Sequence, residues 1–283
     1  MTAYIRLARP HHWIKNLLVL LPLIFSGRFF EWKLLMSALM GFACFSLLAS
    51  AVYCINDVRD REKDRQNPAK QQRPVASGAV TPVGAMIFCG VLLLLAALLG
   101  ILNGGGWIWI CLYFLLNLGY SMGLKDYPLV DVAILASGYL LRILYGGAVT
   151  GIELSKWLCL TVIAVSFYLG LGKRRGELMN GAPSGRAVLQ YYSERFLGYN
   201  MYLCVALAVM FYAMWTVDPL TVERAGGEGL VWTVPLVLLI CMKYSLDVEG
   251  ESDGDPVEVL LHDRLLLLLG VLLGIFICGM IYL

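Results

Sequence analysis

The stretch Ala51-Val-Tyr-Cys-Ile-Asn56-Asp-Val-Arg-Asp60-Arg-Glu-Lys-Asp-Arg65 decides the fold. It overlaps the end of the apolar run 34–55, and a helix of about 20 apolar residues crosses the ~30 Å hydrocarbon core of a bilayer. Eight of the ten residues 56–65 are charged, so the helix leaves the membrane at this point. The stretch therefore predicts a membrane-spanning helix that carries a carboxylate-rich segment to the membrane surface.

The rest of the chain repeats the apolar pattern. Of its 283 residues, 59% are hydrophobic and 15% are charged, with a mean hydropathy of +0.74, whereas roughly a quarter of the residues of a soluble domain are charged. Nine apolar runs have a length suited to crossing a bilayer: 12–27, 34–55, 84–102, 106–124, 128–150, 155–172, 196–217, 229–247 and 263–283. We predict an all-α, polytopic membrane protein, a nine-transmembrane-helix bundle in which residues 1–283 form a single domain.

The cysteine and histidine content excludes several kinds of site. The eight cysteines are spread singly through the predicted spans without a CxxC pair, which is typical of small buried apolar side chains. Three histidines make a zinc or haem centre an unfavoured prediction. No small-residue cleavage site follows the basic start of the chain, so we expect a retained first helix. No nucleic-acid partner is expected.

Lysine and arginine fall unevenly on the two sides of the predicted membrane. Cytoplasmic loops carry the excess of these residues. With the N-terminus inside, 17 of the 22 lie in inner segments, four in outer segments, and Arg142 within a span. We predict a plasma (inner) membrane protein with a cytoplasmic N-terminus and an external C-terminus. Its active site should face the cytoplasm, on catalytic loops at about 56–82, 124–131, 173–195 and 243–264.

Three aspartates of the first inner loop are spaced for one helix face. Asp57, Asp60 and Asp64 stand at i, i+3 and i+7, and Pro68 should end the helix near Asn67. Such carboxylates repel one another unless a cation lies between them, and Mg²⁺ prefers one or two carboxylates, waters and substrate phosphate oxygens. A solvated helix with i,i+4 salt links is the alternative, but the spacing and surface position favour a magnesium-diphosphate site. The predicted catalytic set is Asn56, Asp57, Asp60 and Asp64, and the predicted metal ligands are the three aspartates.

Residues of other inner segments complete a candidate polyphosphate pocket. Lysine and arginine are the usual partners of phosphate oxygens, although each alone would also serve as a topology signal. The predicted substrate-binding residues are Lys15, Tyr53, Arg73, Tyr120, Lys125, Arg142, Lys173, Arg174, Glu177 and Asp247. Arg142 is a separate case, because a charge within a span normally faces the bundle interior or a watery cavity. Pairing with a neighbouring helix and binding of a substrate phosphate are both open for it.

These motifs resemble the UbiA superfamily of intramembrane prenyltransferases, which are nine-helix bundles with cytoplasmic catalytic loops. Asn56-Asp57-x-x-Asp60-x-x-x-Asp64 is similar to the first aspartate motif of that family, and Tyr120-Ser121-x-x-Leu124-Lys125 is similar to its tyrosine–lysine signature. The family's second aspartate motif, DxxxD, is replaced here by Gly172-Lys173-Arg174-Arg175-Gly176-Glu177-Leu178.

That replacement looks like one branch of the superfamily, the decaprenyl-phosphate phosphoribosyltransferases. Segments similar to this branch occur along almost the whole chain, among them Arg9-Pro10-x-x-Trp13-x-Lys15-Asn16, Tyr139-Leu140-x-Arg142-x-x-x-Gly146-Gly147 and Tyr244-x-x-Asp247-Val248. The resemblance implies transfer of a 5-phosphoribosyl group from phosphoribosyl diphosphate (PRPP) to a polyprenyl, decaprenyl-like phosphate, with release of diphosphate and with Mg²⁺ as cofactor.

The residues fit this chemistry. Departure of diphosphate requires neutralisation of the leaving group, and a phosphate monoester with a second pKa near ~6 is already largely anionic at neutral pH. No strong base is then needed, and no histidine is expected near the motifs. A UbiA-type prenyl transfer to an aromatic or other small acceptor is the alternative, but it predicts a second acidic site that Glu177 alone supplies poorly. A transporter is disfavoured because the chain shows no internal repeat and its acids lie at the surface. A homo-oligomer is left open.

Overall fold

The computed structural model describes residues 2–68, 70–179, 187–250, 259 and 262–283. Every regular element within those ranges is a helix, which confirms the all-α prediction. The α-helices are α1 Thr2–Ala8, α2 Leu21–Ile24, α3 Trp32–Arg59, α4 Arg61–Gln66, α5 Pro82–Asn103, α6 Trp107–Met122, α7 Val130–Thr150, α8 Lys156–Met179, α9 Glu194–Thr216, α10 Pro219–Ala225, α11 Val234–Glu249 and α12 Arg264–Tyr282. The 3-10 helices are Pro10–Leu20, Leu124–Asp126, Ala187–Tyr191 and Glu228–Thr233.

Two of the nine predicted spans differ from a long apolar helix. In the described part of the chain, seven helices are long and apolar enough to cross a membrane, with the 3-10 helix Glu228–Thr233 and α11 counted as one. Run 12–27 instead forms the 3-10 helix Pro10–Leu20 followed by the four residues of α2. Run 106–124 forms α6, which has 16 residues because Gly106 and Gly123 end it with positive φ values of 76° and 130°. Both runs are therefore helical, as predicted. The first is mostly a 3-10 helix, and the second is shortened by its terminal glycines.

Two packed clusters lie on either side of α7. On one side α3 packs against α5 and α6, with Phe45, Tyr113 and Tyr145 in the cluster. On the other side α8 packs against α9 and α11, with Tyr168 and Tyr244 in the cluster. The outer helices turn apolar side chains outward. In α12, only 11% of the apolar stretch is buried inside the bundle. Such a face suits contact with lipid tails.

Gly146 of α7 allows the N-terminal 3-10 helix to approach closely. A Cβ atom at this position would lie 2.1 Å from the carbonyl oxygen of Val19, so any other residue would push the two segments apart. The contact places Asn16, one turn before Val19, beside Arg142, one turn before Gly146. A glycine in one helix thereby sets the surroundings of a charge in the bundle interior.

Ion pairs and hydrogen bonds join the described parts of all four predicted loops at one end of the bundle, which we call the charged end. They link Lys125 to Asp60, Arg174 to Asp131, Tyr192 to Asp131, Arg175 to Glu249 and Lys243 to Asp263. Parts of three loops, at 69, 180–186, 251–258 and 260–261, lie outside the described residues.

The helical segment that carries the aspartates is interrupted at Asp60. α3 ends at Arg59 and α4 begins at Arg61, although the amide of Asp60 still donates to Asn56 and that of Asp64 to Asp60, both at 2.8 Å. α4 ends at Gln66, and Asn67 is extended before Pro68, as the proline predicted.

Candidate active site

A cavity of about 690 Å³ opens at the charged end. Its walls come from the N-terminal 3-10 helix, from α3, α4, α6 and α7, and from Lys173 of α8. Ten of the fourteen predicted site residues line it: Lys15, Tyr53, Asn56, Asp60, Asp64, Arg73, Tyr120, Lys125, Arg142 and Lys173. The other four, Asp57, Arg174, Glu177 and Asp247, are not among the residues that line it.

Two carboxylates at the mouth of the cavity face cations from other segments. Lys125 Nζ lies 2.7 Å from both carboxylate oxygens of Asp60, and Arg73 Nη1 donates to Asp64 Oδ2 at 2.7 Å. The helix places the acids, and the segments after α4 and α6 bring in the bases. The site therefore brings together carboxylates, which can bind a metal, and cations, which can bind phosphate.

Asp57 lies behind this wall. Its side chain is fully buried, Arg9 Nη2 donates to its Oδ1 at 2.5 Å, and Arg73 Nη1 lies 3.6 Å from the same oxygen. Arg73 thus contacts both Asp57 and Asp64. The second oxygen, Oδ2, is buried without a protein hydrogen-bond partner. Buried polar atoms normally have such a partner, so this oxygen is a candidate ligand position.

Arg9 also lines the cavity, although its motif was noted in the sequence without Arg9 being predicted as a site residue. Its backbone is left-handed, with φ 52° and ψ 60°, directly before Pro10. This conformation costs a non-glycine residue on the order of 1–3 kcal/mol. The guanidinium lies 4.8 Å from the ring centroid of Tyr53 and bonds to Asp57. The Arg9-Pro10 motif was the signal that could have identified it.

His12 also lines the cavity, and its ring centroid lies 5.3 Å from that of Tyr53. The expectation that no histidine lies near the motifs is therefore wrong. The reason is tertiary, because the N-terminal 3-10 helix folds back against α3, where Trp13 Nε1 donates to Ser50 Oγ at 3.0 Å.

Among the described lysine and arginine residues that line the cavity, Arg142 alone is buried. Its side chain contacts Asn16, the carbonyl of Gly138 and the hydroxyl of Tyr113.

Residues 17–260 of the chain match the UbiA prenyltransferase family. The chain belongs to this family. The match confirms the resemblance that the aspartate motif indicated.

Named relatives of this UbiA-family chain cover nearly all of it. A decaprenyl-phosphate phosphoribosyltransferase of Mycobacterium tuberculosis is 34% identical, over 94% of this chain and 90% of the relative. A protein of the same name from Corynebacterium glutamicum is also 34% identical, over 94% of this chain and 83% of the relative. A solved UbiA homologue from Archaeoglobus fulgidus, bound to GPP and Mg²⁺, superposes with a TM-score of 0.75 over 99% of this chain and all of that one. Its 17% identity supports the fold alone.

In this UbiA-family chain, Lys173 and Arg174, two of the three basic residues in the segment that replaces the second aspartate motif, have different surroundings. Lys173 lines the cavity, whereas Arg174 has no exposed side-chain surface. Arg174 Nε donates to Asp131 Oδ2 at 2.7 Å, and its Nη1 donates to Glu177 Oε2 at 2.8 Å. The prediction that Arg174 and Glu177 contact substrate is therefore revised, because this ion-pair network connects α8 to α7 away from the cavity wall.

Tyr192 completes that network. Its hydroxyl donates to Asp131 Oδ1 at 2.7 Å and accepts from the amide of Leu129 at 2.6 Å. Burial raises the pKa of Tyr192 to about 12, so the hydroxyl keeps its proton. Leu129 has a φ of 66°, a strained value for leucine that this contact helps to hold. The network thus fixes the segment that follows Lys125.

Asp247 lies elsewhere at the charged end. Lys243 donates to Asp247 and, at 2.5 Å, to Asp263 Oδ2, which joins α11 to the start of α12. The hydrogen bond from Lys243 holds the pKa of Asp263 below its usual range. Asp247 is thus placed in a helix-joining cluster and not in the wall of the cavity.

The donor set can be tested for its fit to Mg²⁺. Among the described residues no group of three His, Cys, Asp or Glu side chains could hold a metal by itself. Mg²⁺ is usually held by one or two carboxylates together with waters and substrate phosphates. Asp57, with its unpartnered oxygen, and Asp64 contact a common arginine and provide such a pair. The residues therefore fit a metal ion that enters with a diphosphate.

Proposed function

We propose that this chain transfers a 5-phosphoribosyl group from PRPP to a polyprenyl, decaprenyl-like phosphate and releases diphosphate. The observation that carries the proposal is the presence of Lys173 in the cavity wall, at the place where the aspartate-rich family motif is replaced. Two relatives that this chain matches over 90% and 83% of their own lengths are named decaprenyl-phosphate phosphoribosyltransferase. A cation at this position suits a donor that carries a further phosphate on its sugar.

The donor diphosphate would bind at the mouth of the cavity. Asp57, Asp60 and Asp64 would hold Mg²⁺, which when bound neutralises charge on the diphosphate. Lys125 and Arg73, which contact Asp60 and Asp64, are positioned to exchange those partners for diphosphate oxygens. Neutralisation of the leaving group favours cleavage of the bond to the sugar carbon, where positive charge develops.

The acceptor would supply its own nucleophile. A phosphate monoester has a second pKa near ~6, so its oxygen attacks without prior removal of a proton by a strong base. The new bond forms between that oxygen and the sugar carbon as the bond to diphosphate breaks. Tyr120, Lys15 and Asn56 are further predicted residues of the wall, and we assign them to orientation of the two substrates. Ser121 donates to Asn56 and fixes its side chain.

We also propose nine membrane crossings with a cytoplasmic active site. The seven long apolar helices, α6 and the segment Pro10–Ile24 would provide them. The excess of lysine and arginine at the charged end supports its cytoplasmic placement.

The test is a transfer assay with purified protein in detergent, Mg²⁺ and PRPP labelled in its ribose. We expect the label to move into lipid when a polyprenyl phosphate is added, with one diphosphate released for each ribose transferred. Transfer of a prenyl group from a prenyl diphosphate to an aromatic acceptor, without ribose transfer, would replace the proposal by the alternative UbiA activity.

A further inference from the structure

The guanidinium of Arg142 lies in the bundle interior among neutral partners. Its Nε donates to Asn16 Oδ1 at 2.8 Å, its Nη1 to the carbonyl of Gly138 at 2.6 Å, and its Nη2 lies 3.4 Å from the hydroxyl of Tyr113. The residue is 7% exposed. Within the described ranges, no carboxylate contacts it.

Arg174 shows what a structural arginine looks like in the same bundle. It too is buried, but Asp131 and Glu177 both contact its guanidinium at less than 3 Å. A buried charge without an opposite charge costs several kcal/mol, and charges inside membrane spans normally pair or face a cavity. Arg142 faces a cavity. Its missing counter-charge is therefore expected from something that enters the cavity.

The surroundings of Arg142 hold the guanidinium in place without neutralising it. Its central carbon lies 4.9 Å from the ring centroid of Phe45, 5.0 Å from that of Tyr113 and 5.8 Å from that of Tyr139. Aromatic faces attract a cation without cancelling its charge. A guanidinium has five N–H donors, and the contacts to Asn16, Gly138 and Tyr113 use three of them. Donors therefore remain for an anion.

The position of Arg142 in α7 separates it from the charged end of the bundle, where Asp131 of the same helix pairs with Arg174. It lies 11 residues beyond Asp131 in α7, which is about 16 Å along a helix that rises 1.5 Å per residue. Its side chain turns back toward the start of α7, where it reaches Gly138. An anion bound to Arg142 would lie in the same cavity as a diphosphate at Asp60 and Asp64, but farther from the charged end.

We infer that Arg142, with Asn16 and Tyr113, forms a second anion site that binds a phosphate monoester. Arginine suits this ligand because its planar fork can donate two parallel hydrogen bonds to phosphate oxygens. The inference rests on the proposed function, in which both substrates carry such a group: the 5-phosphate of PRPP and the phosphate of the polyprenyl acceptor. Either source supplies the counter-charge that the protein does not provide.

The first variant is Arg142→Met. The control is Lys156→Met, because Lys156 is exposed at the start of α8, far along that helix from Lys173. Binding is measured by titration of purified protein with ribose 5-phosphate, a short polyprenyl phosphate and magnesium diphosphate in separate arms. Arg142→Met should weaken binding of one or both monoesters by about ten- to a hundredfold and leave diphosphate binding unchanged. The affected arm identifies the source. Unchanged affinity for both monoesters would overturn the inference, as would an equal loss in all three arms.

The second variant is Asn16→Asp, which places a carboxylate beside the guanidinium with little change in shape. An internal counter-charge should preserve or raise the melting temperature and lower monoester affinity, because the ligand then competes with Asp. Preserved stability with unchanged monoester affinity would overturn the inference, and this variant decides if Arg142→Met does not fold. These readouts are binding constants, so failure of ribose transfer in the wild-type protein would refute the proposed function and leave this test standing.

Discussion

The three aspartates of the site have unequal surroundings at the residue scale. Asp60 is partly exposed and contacts Lys125, whereas Asp57 is buried against Arg9 and shares Arg73 with Asp64. A helix repeat places three such side chains on one face, but only the packing of other segments decides how each charge is balanced. Each carboxylate thus has a distinct reason to be sensitive to substitution.

We expect Asp57→Asn, Asp60→Asn and Asp64→Asn each to lower turnover about a hundredfold or more, because each removes a negative charge from the proposed metal-diphosphate site. The control is Glu62→Gln in α4, because Glu62 is exposed, does not line the cavity and should tolerate the change without loss of activity. Turnover is measured over a Mg²⁺ titration, with unfolding followed in parallel. Full activity of all three variants, or activity in excess chelator, would exclude the metal site.

Lys173 and Arg175 form a matched pair for testing donor binding. Lys173→Ala should raise the donor KM by about ten- to a hundredfold, since a charge-assisted contact to phosphate contributes roughly 1.5–3 kcal/mol, while the acceptor KM changes much less. Arg175 contacts Glu194 and Glu249 outside the cavity, so Arg175→Ala should leave the donor KM near the wild-type value. An unchanged donor KM in Lys173→Ala would refute the assignment of Lys173.

At the scale of elements, the junction of α7 and α8 depends on Arg174. Removal of one partner from a buried ion pair destabilises a protein by about 3–5 kcal/mol. Arg174→Ala leaves Asp131 and Glu177 without their cation, so it should lower the melting temperature in detergent well below that of Arg175→Ala. The donor KM of the folded fraction should stay close to the wild-type value. A stable Arg174→Ala protein with a raised donor KM would instead return Arg174 to the substrate site.

At the scale of the whole molecule, the distribution of basic residues sets the expected topology. We expect a cysteine at position 63, in the exposed part of α4, to react with a membrane-impermeant thiol reagent only after the cytoplasmic face is opened. A cysteine at position 33, near the start of α3, should react in intact cells. The measurement requires a background without the eight native cysteines. The reverse labelling pattern would overturn the cytoplasmic placement of the site.

The different surroundings of Lys173 and Arg174 could not be predicted from the sequence. Neighbouring residues of a helix point about 100° apart, so only one of them faces the cavity while the other faces α7. Lysine and arginine near a membrane also mark topology, and no local pattern separates that role from phosphate binding. Arg9 and His12 were missed for a related reason, because their roles arise from the fold of the 3-10 helix against α3.

The sequence by itself determined the helical membrane class, the family and the aspartate motif, because these depend on apolar run length and on spacings of a few residues. The tertiary structure decided which charges meet. Arg9 pairs with Asp57 across 48 residues, Lys125 with Asp60 across 65, and Arg142 with Asn16 across 126. Such contacts depend on helix rotation and on close approaches such as that of Gly146 to Val19. Burial then decides how strongly each charge affects stability, because a cation costs little free energy in water and must be balanced by an opposite charge inside the bundle.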